Sequence, residues 1–197
     1  MKATERSMKL AGTQEMRQAI MRLIEEFGYE RREQPFQLSS GEWSRDYFDG
    51  KRALGSGDSL RLAAECVVAV ASDAGITFDA VGGLTMGADP IAHAVAVVSG
   101  TEWFSVRKQA KQHGKQQLIE GAHIGAGTRV LLVDDVVTTG SSILKALDAV
   151  EEAGATVTLA VSLVERGNQS RRRLGERGVR YAPITTYEDF GIEPVGA

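Results

Sequence analysis

The stretch Val130-Leu131-Leu132-Val133-Asp134-Asp135-Val136-Val137-Thr138-Thr139-Gly140-Ser141-Ser142 holds the densest set of reactive groups in the chain. Its apolar start fits a buried parallel strand, and ligands of open α/β sheets collect at the carboxyl ends of such strands. Two adjacent carboxylates at that edge are costly for stability alone. Their use is to accept hydrogen bonds from vicinal hydroxyls, as on a ribose, either directly or through a bound cation. The hydroxyl-rich turn that follows has a glycine just before a helix, which gathers unpaired backbone amides and the positive helix end around one anion. Ribose acceptors beside a phosphate cradle form the complement of a ribose 5-phosphate. A nucleotidase P-loop would need Gly-Lys-Ser/Thr, and this stretch has no lysine. A dinucleotide fold would need its glycine fingerprint after the first strand, which Gly82-Gly83-Leu84-Thr85 matches poorly.

A second constellation, Arg107-Lys108-Gln109-Ala110-Lys111-Gln112-His113-Gly114, packs three cations and a histidine into one polar segment. In isolation such a cluster is ordinarily a solvated charge run. Beside a ribose phosphate site it suits a departing pyrophosphate. Arginine grips phosphate bidentately, lysine supplies point charge or a proton, and histidine transfers a proton near neutrality. On a loop that closes, these groups would also keep water from a reactive ribosyl cation.

The elements that must position these groups are legible from periodicity. Met16, Ile20, Leu23, Ile24 and Phe27 fall at helical spacing and stop at Gly28. Phe36 to Lys51 reads as a short irregular hairpin or loop. A second helix is expected after Asp58 or Ser59 as N-cap, stopping near Gly75. Strands are expected at Phe78–Val81, Glu102–Val106, Arg129–Val133, Thr156–Val164 and Val179–Ile184. Helices are expected from Asp89-Pro90 onward and over Ser142–Ala153. Arg107 to Gly125 shows no apolar periodicity and reads as a long functional loop. This alternation predicts an α/β fold with a parallel sheet flanked by helices.

Bulk properties agree with a single domain over residues 1–197, of which about 1–55 form an N-terminal helix and hood and about 56–185 an α/β core. The chain has 197 residues, 43% of them apolar, enough for a sizeable core. Its net charge of -3 provides no global basic field for nucleic acid. Cys66 is the only cysteine, so an intrachain disulfide and a cysteine-rich zinc cage are both excluded, in keeping with a reducing cytoplasm. No apolar run is long enough to span a bilayer, and the polar start, Met1 to Met8, reads as no secretion signal; Met8 is an alternative start.

The acidic pair with Thr-Thr-Gly-Ser-Ser resembles the 5-phosphoribosyl 1-pyrophosphate (PRPP) motif of the type I phosphoribosyltransferases. The octad is similar to the catalytic loop of orotate phosphoribosyltransferases, whose Arg-Lys-x-x-Lys-x-His-Gly pattern it matches at every fixed position. The segment Phe36 to Asp49 resembles the part of that family that covers the base, and Glu165-Arg166-Gly167 stands where the family carries an arginine for the orotate carboxylate. The resemblance spans Phe36 to Gly167. It implies Lys111, Asp135 and His113 as the catalytic groups, with Arg107 and Lys108 on pyrophosphate. It implies Asp134, Thr138, Thr139, Gly140, Ser141 and Ser142 on the ribose 5-phosphate, Tyr47 and Phe48 stacked on the base, and Arg166 on its carboxylate. It also implies PRPP and orotate as substrates, Mg2+ held mainly by substrate with no protein ligand set, and a homodimer whose loop is shared between subunits. Some family members carry lysine where this chain has Ser39 and Met86, which removes positive charge from the diphosphate; Lys51 or Arg52 are the candidates to compensate. A transferase for another base and a non-catalytic PRPP sensor are the alternatives. The sensor gives no reason for the octad.

Overall fold

The computed structural model describes residues 3–109 and 118–196. Helix α1 (Ala3–Leu23) runs into a π-helical turn (Ile24–Gly28), and Ile20 and Ile24 are buried against the sheet layer. The irregular segment expected at Phe36–Lys51 is more ordered than its composition suggests. Strands β1 (Tyr29–Gln37) and β2 (Trp43–Phe48) form an antiparallel hairpin, pairing Tyr29 with Phe48 and Gln37 with Trp43. Their register slips between Arg31 and Phe36, beside Pro35, which has no amide to donate to a ladder.

A short helix α2 (Gly50–Ala53) is capped by Asp49, whose carboxylate accepts from the Arg52 amide at 3.0 Å. Helix α3 (Gly57–Asp73) begins before the expected Asp58 or Ser59 cap. Ser56 and Ser59 form a reciprocal capping box, the Ser59 amide donating to Ser56 Oγ at 3.0 Å and the Ser56 amide to Ser59 Oγ at 3.2 Å.

The core runs β3 (Ala80–Leu84), α4 (Asp89–Ser99), β4 (Glu102–Val106), β5 (Ile119–Gly121), β6 (Arg129–Val137), α5 (Ser141–Glu152), β7 (Thr156–Glu165), α6 (Gln169–Glu176) and β8 (Thr185–Thr186), with the expected alternation and, beyond it, β5 and α6. The sheet order is β5-β4-β3-β6-β7-β8, and every neighbouring pair is parallel except β4 with β5. Strand β5 lies inside the segment expected to be loop throughout, and the Arg107 amide donates to the Leu118 carbonyl at 2.8 Å to close its base. The strand expected at Val179–Ile184 reduces to a single bridge, Ala160 with Tyr181, followed by β8. Hydrogen bonds to β7 continue through this stretch, the Ala182 amide donating to the Ala160 carbonyl at 2.9 Å and the Ile184 amide to the Ser162 carbonyl at 2.8 Å, with Pro183 between them on the edge, where a missing amide proton is tolerated.

Alternation along β6 explains the two hydrophobic layers. Leu131 and Val133 join Val67, Ile91 and Val95 on one face, while Val130 and Leu132 join Ile143, Leu147 and Leu174 on the other. Cys66 is fully buried in the first layer, and burial pushes its thiol up to about 11, so it packs rather than reacts. The crossover from β3 leads through α4 to β4, and that from β6 through α5 to β7, in opposite directions along the sheet. The reversal between β3 and β6 leaves a crevice at their carboxyl ends, where α/β sheets bind ligands.

At the opposite end of these strands, Asp79 accepts from the Arg129 amide at 2.9 Å, from its Nε at 3.0 Å and from its NH2 at 2.6 Å. Those bonds hold the Asp79 carboxyl down to about 2. A carboxyl lowered in the folded state gives stability above its unfolded value near 4 that is lost as pH falls toward 2. Urea unfolding of Asp79→Asn should therefore lose part of the decline in stability between about pH 4 and pH 2 that the unsubstituted chain shows. Identical acid limbs for the two proteins would remove this clamp from the account.

Candidate active site

Asp134 and Asp135 stand near the end of β6, which runs four residues beyond the Val133 expected from sequence. Asp134 pairs with Ser162 of β7, so the strand is still laddered on that side where it carries its carboxylates into the crevice. Asp134 is only 5% exposed, and its Oδ1 accepts from the Asp135 amide at 3.0 Å. Asp135 Oδ1 accepts from the Val136 amide at 2.8 Å, and its Oδ2 lies 3.3 Å from Lys51 Nζ at the start of α2. Burial, and then the neighbouring Asp135 charge, push the Asp134 carboxyl well above the usual carboxylate range.

Two glycines let backbone approach this pair. A Cβ on Gly87, in the turn between β3 and α4, would lie 2.6 Å from Asp135 Oδ1 and 2.9 Å from Asp134 Oδ1. A Cβ on Gly50 would lie 3.0 Å from Asp135 Cβ. Gly50, Lys51, Leu54, Gly87, Pro90, Ile91 and Asp135 line a cleft of about 100 Å³ here. Met86 projects from the same turn, 71% exposed, and brings no charge to it. Nearby, Ser105 of β4 donates to Asp89 Oδ1 at 2.8 Å and fixes the first turn of α4.

The hydroxyl-rich turn follows directly. Gly140 takes a left-handed φ of 76° to start α5, with no side-chain cap on the helix, so the first-turn amides are free for an anion. Thr139 Oγ1 and Ser141 Oγ lie 2.8 Å apart, and Thr138, Thr139 and Ser142 are half-buried around them. The turn begins directly after Val137, the last residue of the strand that carries Asp134 and Asp135.

Arg166 follows directly after β7, its amide donating to the Val137 carbonyl at 2.9 Å. It is 4% exposed; its Nη2 donates to the Asp46 carbonyl at 2.5 Å, its Nε has no partner among the described residues, and its guanidinium lies 5.5 Å from the Phe48 ring centre. Burial lowers its pKa to about 10, which still leaves it charged near neutrality. The two rings expected to stack together on a base are separated by strand alternation. Phe48 is 6% exposed and packs on Tyr29 and Phe190, with centroids 5.1 Å and 5.0 Å away. Tyr47 faces the other way, toward Phe36, with the Arg32 guanidinium 4.5 Å above its ring. The two rings thus face opposite sides of β2, and Phe48 is the one beside the Arg166 guanidinium.

Arg107 ends β4 and pairs with Glu120 at 2.9 Å, and Lys108 is exposed. Lys111 and His113 lie outside the described residues. Among the described residues, no group of three or more His, Cys, Asp or Glu side chains could hold a metal ion. The roles of Gly87 and Gly50 had no signal beyond the residue type, because only the fold shows what each glycine faces.

Residues 56–190 match the phosphoribosyl transferase domain family. The orotate phosphoribosyltransferase of Pyrococcus furiosus is 37% identical over 180 residues, covering 89% of this chain and 95% of its own length. The chain belongs to the orotate phosphoribosyltransferase family. The enzyme of that name from Streptomyces avermitilis is 40% identical over 162 residues, covering 79% of this chain and 87% of its own length. The fold agrees with the crystal structure of Mycobacterium tuberculosis orotate phosphoribosyltransferase in complex with PRPP, with a TM-score of 0.73 and 31% identity over 90% of this chain and 99% of that one.

The raised Asp134 carboxyl has a measurable sign. Between the unfolded value near 4 and the raised folded value, the folded chain holds a proton that the unfolded chain releases, so stability falls as pH rises across that window. Asp134→Asn should remove this loss, raising Tm at pH 7 by roughly 2–4 °C with no gain near pH 3. The same substitution should weaken PRPP binding about tenfold or more, because a charged acceptor is lost. Scanning calorimetry and titration calorimetry read the two effects, and a lower Tm at pH 7 would contradict the strained pair.

Proposed function

We propose that this chain transfers the phosphoribosyl group of PRPP to orotate, releasing pyrophosphate and giving orotidine 5-phosphate in pyrimidine (UMP) biosynthesis. The observation that carries the choice of base is Arg166: a buried cation beside Phe48 whose Nε has no partner among the described residues. A buried guanidinium is best satisfied by a carboxylate, and orotate is the pyrimidine that brings one. The phosphoribosyl half rests on Asp134 and Asp135 meeting the Thr138–Ser142 cradle at the reversal of strand order.

In this reading the ribose C1–oxygen bond to diphosphate loosens while a base nitrogen takes its place at C1, and no covalent enzyme intermediate is needed. Asp134 and Asp135 hold the ribose hydroxyls, with Asp135 facing the electron-poor ring. Thr138, Thr139, Gly140, Ser141 and Ser142 hold the 5-phosphate. Arg107, Lys108, Lys111 and His113 stabilise charge on the departing pyrophosphate. Magnesium, a hard cation, would neutralise the diphosphate when bound. A site with two adjacent carboxylates and no third described donor fits an ion held mainly by substrate oxygens and water.

A homodimer that shares the 107–114 segment between subunits belongs to the same proposal. Trp103 packs edge-on against His93 at 4.4 Å, and Val97, one helical turn from His93, is 84% exposed, giving an apolar face suited to a second copy. So does one functional domain over residues 1–197, with a hood at about 1–55 and a core at about 56–185. No helix among the described residues is long and apolar enough to cross a membrane, and the proposed setting is the cytoplasm.

Purified chain incubated with PRPP, Mg2+ and a panel of bases should release pyrophosphate with orotate. Release with a purine alone would sink the orotate assignment, and no release with any base would favour a PRPP sensor. Lys111→Ala should lower turnover about 100-fold or more while PRPP binding stays largely intact. Near-normal turnover in that variant would remove Lys111 from the chemistry.

A further inference from the structure

The cradle Thr138–Ser142 contains no charged side chain, yet a cation touches it from a distant part of the chain. Arg173, on α6, donates from NH1 to the Thr139 carbonyl at 2.7 Å and to Ser141 Oγ at 3.1 Å. Helix α6 is held rigidly for this. Leu174 is fully buried, Ser170 Oγ donates to the buried Glu165 Oε1 at 2.6 Å, and Arg171 Nε donates to Glu165 Oε2 at 2.7 Å. A Cβ on Gly140 would lie 3.4 Å from Ser170, so α6 backs directly onto the turn of the cradle.

The other arginines around α6 are matched by carboxylates: Arg171 by Glu165, Arg172 by Glu176, and Arg177 by Asp148 and Glu151. Among the described residues no carboxylate pairs with Arg173, and its donors go to the cradle instead. The consequences are chemical. A serine oxygen has two lone pairs and one proton; with Arg173 occupying a lone pair of Ser141, that proton is left to point to Thr139 or to a bound anion. The Thr139–Gly140 peptide is trans, so holding its carbonyl on Arg173 turns the Gly140 amide to the opposite side, away from α6. A carbonyl that would repel an anion is thereby tied back, and a positive charge stands at the rim.

We propose that Arg173 is a positioning residue for the phosphate end of the site, orienting the Thr139–Gly140 peptide and the Ser141 hydroxyl and supplying the charge that the cradle itself lacks for a phosphate monoester. It rests on the reading of that cradle as the 5-phosphate site. Among the described residues, neither the acidic pair nor Arg107 or Lys108 bonds to Arg173, so probes of the two ends of the substrate separate its effect.

The test uses titration calorimetry of the full chain with ribose 5-phosphate as probe of one end and inorganic pyrophosphate as probe of the other. Arg173→Gln and Arg173→Ala should weaken ribose 5-phosphate about tenfold, the loss of one charged hydrogen-bonding partner, and leave pyrophosphate binding near its original value. Arg173→Lys should recover part of the loss, and in assays the defect should fall on KM for PRPP more than on kcat. Unchanged ribose 5-phosphate binding in the Gln and Ala variants would overturn the proposal. Equal weakening of both probes, with lowered Tm, would overturn it as well, since it would assign Arg173 to general stability. If the unsubstituted chain binds pyrophosphate but no ribose 5-phosphate, the cradle reading itself falls, and Arg173 with it.

Discussion

Two carboxylates on consecutive residues near the end of a buried strand repel each other and resist leaving water, and much of the molecule around them is arranged to tolerate that. Asp134 and Asp135 are each held by the next backbone amide along the chain, one is met by Lys51, and Gly50 and Gly87 leave room where any side chain would collide. The cost that remains is visible in the raised Asp134 carboxyl. In the proposed reading a bound ribose relieves that cost, because its hydroxyls would donate hydrogen bonds to the two carboxylates.

The sheet decides where the strain is put. Because the crossovers through α4 and α5 leave in opposite directions, β3 and β6 part at their carboxyl ends, and the acids, the Gly87 turn and the Thr138–Ser142 cradle meet there. The hairpin and β7 close the far side through the Asp46 carbonyl on Arg166. Helix α6 reaches the cradle from behind through Arg173. The site is therefore assembled from elements far apart in sequence and held by short bonds to backbone atoms, which gives precision without a metal cage among the described residues.

Much of this was legible in the residues. The apolar run before Asp134, the hydroxyl-rich turn after it and the octad from Arg107 each have a composition that chemistry explains, and the alternation of strand and helix followed from periodicity. What could not be read was orientation and long-range contact. Tyr47 and Phe48 look alike as neighbours, but a strand sends them to opposite faces. Glu165 had no evident role, yet it is the buried anchor for Ser170 and Arg171. Arg173 lies in a run of three arginines on a helix that periodicity did not mark, and its contact with a turn 34 residues away depends on tertiary packing. Ser56 preceded the expected cap because reciprocal serine bonds outweighed the nearby acidic residue.

The central claim is that the acidic pair and the cradle hold the two ends of one ribose 5-phosphate. A crystal structure of the chain with PRPP and Mg2+ tests it most directly. Both ribose hydroxyls are expected within hydrogen-bond distance of the Asp134 and Asp135 carboxylates, with the 5-phosphate enclosed by Thr138 to Ser142. Ligand density elsewhere, or a phosphate in the cradle with the ribose turned away from both aspartates, would contradict it.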